Sequence, residues 1–284
     1  MTRPTVEEGY ADLKKRAGAA IERLKAIEVS SSSVLTADDQ FFHPIYRTFS
    51  QGVVECLFSA LDHLRFLAWS LDNREKPFPY AQATLIRTAI TAASTALWMT
   101  SGSTDVERRS RALEFNFNDL KSHLGWMDTL AADPINQQRP AAEQAQFDAL
   151  YTELERRIDW VLQEATTLQG RPNPFTRNTY GGQATTETQI VRHAGSIATA
   201  IGVGGYDSGL VLLNTWQLLS GYAHGRPWAS LHGGKTIVND PTPDPTTGQI
   251  SITKQGDPDR LLVFAFRALI VTEVAVMAYE QLAR

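Results

Sequence analysis

The side chains best suited to chemistry are concentrated between Trp216 and Lys235, where tryptophan, tyrosine, histidine, arginine and serine occur together. Gly225 is placed to end one helix and Pro227 to begin another, so these side chains surround a helix junction. An arginine can hold a phosphate group, and a histidine can accept the proton of an attacking hydroxyl. The stretch therefore predicts a site for a phosphate-containing ligand, although the same residues could cap a helix and brace a turn.

Three residues of this stretch are candidates for catalysis: His224, Arg226 and His232. His224 would lie at the C-terminus of a helix, where the helix dipole favours a protonated imidazole. Five residues separate Arg226 from His232. In this hypothesis Arg226 and Arg87 hold phosphate, His224 or His232 serves as the base, and neither a metal nor a cofactor is needed.

A second group of residues is predicted to contact the ligand rather than to react with it. Ser220 and His224 are spaced one helical turn apart, and Trp216 lies one turn further towards the N-terminus. Arg87 is the one charge in a helix of small residues and needs a carboxylate, a helix C-terminus or a bound anion. The candidate ligand-binding residues are Arg87, Trp216, Ser220, Tyr222 and Trp228.

Two interpretations without catalysis fit the same residues. In the first, His224 caps the last carbonyl groups of its helix, and the protein is an interaction module whose apolar faces bind a protein partner. In the second, Trp216, Tyr222 and Trp228 line a small-molecule pocket. An open cleft would favour catalysis, burial of His224 would favour the interaction module, and an enclosed aromatic cavity would favour the small-molecule pocket.

Other motifs are weaker. The stretch 229–236 differs by one residue from a P-loop, but the predicted order of helix before and strand after is the reverse of what a P-loop requires. The glycine-rich stretch 202–209 is predicted to stop a helix rather than to bind a dinucleotide. Asp39 with His43, and Asp119 with His123, have the spacing of metal ligands but are predicted to be surface ion pairs.

The elements that must position the candidate site are predicted to be helices. Capping boxes at Thr5–Glu8 and Thr104–Glu107 begin two of them, and Asp257 followed by Pro258 begins the last. About eight helices are predicted, near 5–27, 37–71, 80–100, 105–132, 141–168, 186–202, from 207 into the helix junction, and from 258. A β-hairpin is predicted within 235–254. The whole chain, 1–284, is predicted to be one all-α domain, with the N-terminal helix in 1–30 at its periphery.

Composition sets further limits. With 43% hydrophobic and 20% charged residues the chain resembles a soluble globular protein, and its net charge of −4 argues against a protein that coats nucleic acid without specificity. The single cysteine, Cys56, and an N-terminus without an apolar segment favour the cytoplasm.

The apolar stretch 261–279 contains Arg267 and Glu273 at its centre, so we predict a core helix rather than a membrane span. The basic cluster 107–111 is either a solvated face or a phosphate-contacting patch shared with another subunit.

Two segments, 85–93 on the small-residue helix and 216–225 near the junction, resemble a group of uncharacterised helical proteins of bacteria, especially actinomycetes. Some of these resemble the HEPN superfamily, whose ribonucleases carry an arginine and a histidine at the spacing of Arg226 and His232. Pro227 departs from that pattern, which favours a polar residue there. The resemblance implies a homodimer that binds RNA or a nucleotide, in bacterial toxin or antiviral systems, with or without ribonuclease activity.

Overall fold

A computed structural model describes residues 5–72, 78–134, 139–202 and 209–284. Within these ranges the chain is 75% helical, with eleven α-helices and one small antiparallel sheet of two strands. The helices are α1 (Val6–Lys25), α2 (Val34–Phe41), α3 (Phe49–Asp72), α4 (Pro79–Thr100), α5 (Asp105–Ala132), α6 (Ala141–Leu168), α7 (Arg177–Gly181), α8 (Glu187–Ala200), α9 (Gly209–Ala223), α10 (Pro227–Gly233) and α11 (Pro258–Ala283). The strands are β1 (Gly234–Asp240) and β2 (Ser251–Gly256).

The mostly helical fold with one small hairpin is confirmed, but the predicted number of about eight helices is wrong for the described ranges. The predicted helix at 37–71 is interrupted by a 3₁₀ turn, His43–Ile45, that contains Pro44 and ends at Tyr46 with a φ of 54°. Across this turn, Asp39 of α2 accepts hydrogen bonds from the backbone N–H and the hydroxyl of Ser50, which lies in the first turn of α3. The short helices α7 and α10 account for the rest of the difference.

Helix starts follow the predicted capping residues. Thr5 and Glu8 form the reciprocal capping box at α1, and the Thr104 hydroxyl accepts a hydrogen bond from the Glu107 N–H at α5. Asp257 caps α11, with Pro258 in its first turn. The predicted glycine helix stop at 202–209 lies largely outside the described residues.

The described chain groups into two compact units. Within the described ranges the first comprises residues 5–28, 53–72, 78–100, 187–202 and 209–284, and the second comprises 29–52, 101–134 and 139–186. In the first unit α4 packs against α8, α9 and α11, and α1 packs along α11. The alanines Ala83, Ala89, Ala93 and Ala96 of α4 are fully buried, so small side chains let neighbouring helices approach closely there.

The apolar helix α11 runs through the first unit. By length and composition it is the one helix within the described ranges that could cross a membrane, with a mean hydropathy of 2.2. Its most apolar window is 56% buried inside the protein, as in the core helix of a folded domain. Arg267 donates a hydrogen bond from Nη1 to the hydroxyl of Thr215 of α9. The Glu273 carboxylate accepts hydrogen bonds from both Nε and Nη2 of Arg16 of α1. The two central charges therefore have partners on neighbouring helices.

The second unit is built on α5 and α6 and contains a buried ionic cluster. Asp38 is fully buried and accepts a hydrogen bond from Arg108 Nε at 2.7 Å and another from Arg109 Nε at 2.9 Å. Arg111 pairs with Glu107. The basic cluster 107–111 is thus occupied by internal ion pairs and is not the solvated face considered from the sequence.

The hairpin of β1 and β2 lies between α10 and α11 along the chain. Val238 pairs with Ile252 and Lys235 with Gln255, with an irregularity between Val238 and Asp240. Most of its residues are exposed, so the hairpin contributes little to the core of the first unit.

Candidate functional site

The candidate site surrounds the junction between α9 and α10, and backbone hydrogen bonds determine its shape. Gly225 adopts a φ of +63°, the left-handed conformation that glycine tolerates best. The Arg226 N–H donates to the Gly221 carbonyl at 2.8 Å, and the Gly225 N–H donates to the Tyr222 carbonyl at 2.9 Å. These two bonds are those of a Schellman motif, and Pro227 then begins α10.

This motif satisfies helix-end carbonyl groups with the backbone alone. The side chain of His224 is therefore not needed as a cap, because the bonds it would make are already supplied by the Gly225 and Arg226 N–H groups. His224 is exposed rather than buried against carbonyl oxygens. At the Gly221 and Tyr222 carbonyls, backbone N–H groups thus take the place of the predicted His224 cap.

The three candidate catalytic side chains, those of His224, Arg226 and His232, are all exposed. In the described part of the chain none of the three makes a side-chain hydrogen bond or ion pair. Six residues of helical rise separate His232 from Arg226, so their backbones lie about 9 Å apart along α10. That distance suits separate groups of an extended ligand better than a single phosphate.

Two cationic side chains from neighbouring elements, those of Arg260 and Lys235, lie near the C-terminal end of α10. Arg260 of α11 donates a hydrogen bond from Nη1 to the carbonyl oxygen of His232. Lys235 Nζ, at the start of β1, lies 3.6 Å from a carboxylate oxygen of Asp257. Positive charge is thus present at this end of α10, although part of it is balanced by Asp257.

Arg87 occupies a different environment and holds α9 against α4. Its Nε donates to Ser220 Oγ at 2.9 Å, and its guanidinium lies 5.4 Å from the ring centroid of Trp216. Its Nη2 contacts Glu187 of α8 at 3.3 Å. A carboxylate therefore balances the charge of Arg87, but it is one that the sequence did not indicate.

The three aromatic candidates have three different surroundings. Trp216 is buried and donates its indole N–H to Thr91 Oγ1 at 2.8 Å. Tyr222 is buried beneath α10, where a Cβ on Gly233 would lie 2.4 Å from its ring, and burial raises the pKa of its hydroxyl. Trp228 is 47% exposed, with one edge against Gly221. Of the three rings, Trp228 is the one that a large ligand can reach.

The structure thus divides the predicted residues into two sets, with Tyr222, buried beneath α10, outside both. Arg87, Ser220 and Trp216 come together in one contact network between α4 and α9. His224, Arg226, Trp228 and His232 lie exposed along the junction and α10. Sequence reasoning missed Glu187, Thr91 and Arg260, since each is distant in sequence from the residue it contacts.

The two pairs considered as metal ligands are engaged elsewhere. Asp39 accepts hydrogen bonds from Ser50, and Asp119 pairs with Arg47. His123 lies against the ring of Trp126. Among the described residues no group of three or more histidine, cysteine, aspartate or glutamate side chains is placed to hold a metal ion.

Comparisons of the chain with protein families, with curated proteins and with solved structures find no significant match.

Proposed function

We propose that this helical protein binds single-stranded RNA along the exposed surface of the α9–α10 junction. One observation carries the proposal: His224, Arg226, Trp228 and His232 are all exposed within one short segment around the α9–α10 junction, and the two histidines and the arginine have no side-chain partner within the described ranges. Because the fold does not use these histidine and arginine side chains in internal contacts, they are available to contact a phosphate-containing ligand.

The chemistry of each side chain supports a single strand rather than a small anion. An exposed indole stacks on any nucleobase, and an arginine or a protonated histidine contacts the phosphates that link the bases. Trp228 and His232, four residues apart, share one face of α10, and Arg226 is the N-cap residue about 9 Å from His232 along the axis, a span suited to an extended ligand. RNA is chosen over DNA because of the resemblance to HEPN proteins.

In this proposal the buried residues position the surface and do not contact the ligand. Arg87, Ser220 and Trp216 hold α9 on α4, and Tyr222 supports α10 from below. Cleavage of the strand is a separate step, in which His224 or His232 would take the proton of a 2′-hydroxyl as its oxygen attacks the adjacent phosphorus, and the bond to the 5′-oxygen would break, with that oxygen taking a proton from water. A second experiment tests it.

The binding test is a titration of a short fluorescein-labelled RNA followed by anisotropy. We expect Trp228→Ala to weaken binding by about 1–3 kcal/mol, the usual contribution of one stacked base, and Trp228→Phe to recover part of the loss. Trp126, also half-exposed but in the second unit, provides the matched control Trp126→Ala. Wild-type protein that fails to bind, or equal losses from both alanine variants, would contradict the proposal.

The cleavage test is incubation of the protein with total bacterial RNA and a metal chelator. Degradation by wild type but not by the His224→Ala/His232→Ala double variant would identify a metal-independent ribonuclease. Intact RNA in both samples, together with normal binding, would identify a binding protein without this activity.

A further inference from the structure

The outward face of α3 carries a stripe of exposed aromatic side chains. Phe58 is 40% exposed, Phe66 51% and Trp69 57%, and the rings of Phe66 and Trp69 stack at 5.5 Å. Together they expose on the order of 300 Å² of aromatic surface. A patch of this size on a monomer is often an interaction site.

The spacing along this face is that of a helix–helix seam. Phe58, Asp62, Arg65 and Trp69 follow one another at intervals of four, three and four residues, the repeat that keeps side chains on one side of a helix against a partner helix. All four are exposed. The opposite side of α3 supplies core residues, Leu57, Leu61 and Leu64 among them.

The two charged side chains at the centre of the stripe, Asp62 and Arg65, indicate which partner would fit it. Asp62 and Arg65 are exposed and form no ion pair in the described ranges. If a second α3 lies antiparallel across the first, with its centre between residues 63 and 64, Asp62 of each copy faces Arg65 of the other. The same register places Phe58 opposite Trp69. A parallel arrangement would instead oppose like charges.

We propose that the outward face of α3 is a self-complementary dimer interface whose occupant is the α3 of a second copy of this chain. Such an isologous contact uses the same patch twice and closes after two subunits. The aromatic area is small beside the roughly 800 Å² per partner of a standard interface. We therefore expect a weak dimer that dissociates on dilution. The proposal is independent of RNA binding.

Sedimentation equilibrium over a range of protein concentrations tests the interface. We expect wild-type protein to dimerise, and Asp62→Arg or Arg65→Asp alone to weaken the dimer by about tenfold or more, because each opposes like charges twice. Arg192→Asp on α8 is the matched control, since Arg192 is also exposed, and it should leave the dimer unchanged.

Mixing the two single variants provides the decisive arm. In an antiparallel pair every charge of the first variant faces an opposite charge of the second, so the mixture should form a heterodimer at concentrations where each variant alone dimerises about tenfold or more weakly than wild type. The Asp62→Arg/Arg65→Asp double variant should also recover the homodimer. A wild type that stays monomeric, single variants that dimerise normally, or a mixture that stays monomeric would each overturn the proposal.

Discussion

Charged side chains fall into two groups according to their contacts. Asp38 is fully buried between Arg108 and Arg109, whereas Arg226 is exposed and has no side-chain partner within the described ranges. A buried carboxylate with two hydrogen-bonded arginines is required by the fold, because removing it leaves positive charges without compensation. An exposed arginine without a partner costs the fold little when it is replaced, and it is therefore available for a ligand.

The buried cluster gives a stability prediction. We expect Asp38→Ala to lower the free energy of unfolding by about 3–5 kcal/mol. In the same unit, Glu155→Ala breaks the half-exposed pair of Glu155 and Arg177 and should cost about 1 kcal/mol or less. Urea denaturation of both variants measures the difference. Similar losses from the two would contradict the role assigned to Asp38.

Which residues belong to the candidate site was predictable where they are neighbours in sequence. The stretch from Trp216 to His232 includes every exposed residue of the proposed surface. The role of Arg87 was not predictable, because its partner Glu187 lies 100 residues away and only helix packing brings the two together. The sequence alone offers other carboxylates, those of Glu55, Asp62, Asp119 and Glu273 among them.

Among the elements, the junction between α9 and α10 depends on one glycine. Gly225 is the left-handed residue of the Schellman motif. We expect Gly225→Ala to destabilise the protein by about 1–2 kcal/mol, the cost of that conformation for a residue with a Cβ. Gly18, inside α1 with open space around it, provides the comparison, and Gly18→Ala should stabilise by about 0.5–1 kcal/mol. Thermal unfolding distinguishes the two, and a neutral Gly225→Ala would show that another contact determines the junction.

Helix boundaries were predictable where the signal is a cap. Thr5, Thr104 and Asp257 each place a side-chain oxygen where the first free N–H groups need it, and the helices begin there. The break before α3 was missed because Tyr46 takes a left-handed conformation that sequence patterns assign to glycine. Helix α7 was missed because five residues are too few for a hydrophobic period to be read.

For the whole molecule, a net charge of −4 limits how RNA can be bound. A protein with this charge repels a polyanion over most of its surface, so binding must come from a local set of contacts. The residues of the proposed surface and the outward face of α3 all belong to the first compact unit. The second unit contributes none of them.

The salt dependence of RNA binding tests the central claim most directly. Each phosphate contact to a single strand contributes about 0.7 to the slope of log affinity against log salt. We predict that Arg226→Ala lowers that slope by about 0.7, while Arg192→Ala leaves it unchanged. Arg192 is also exposed, but it lies beside Gly209 at the opposite end of α9. Binding whose slope is the same in wild type and both variants would contradict the assignment of Arg226 to a phosphate.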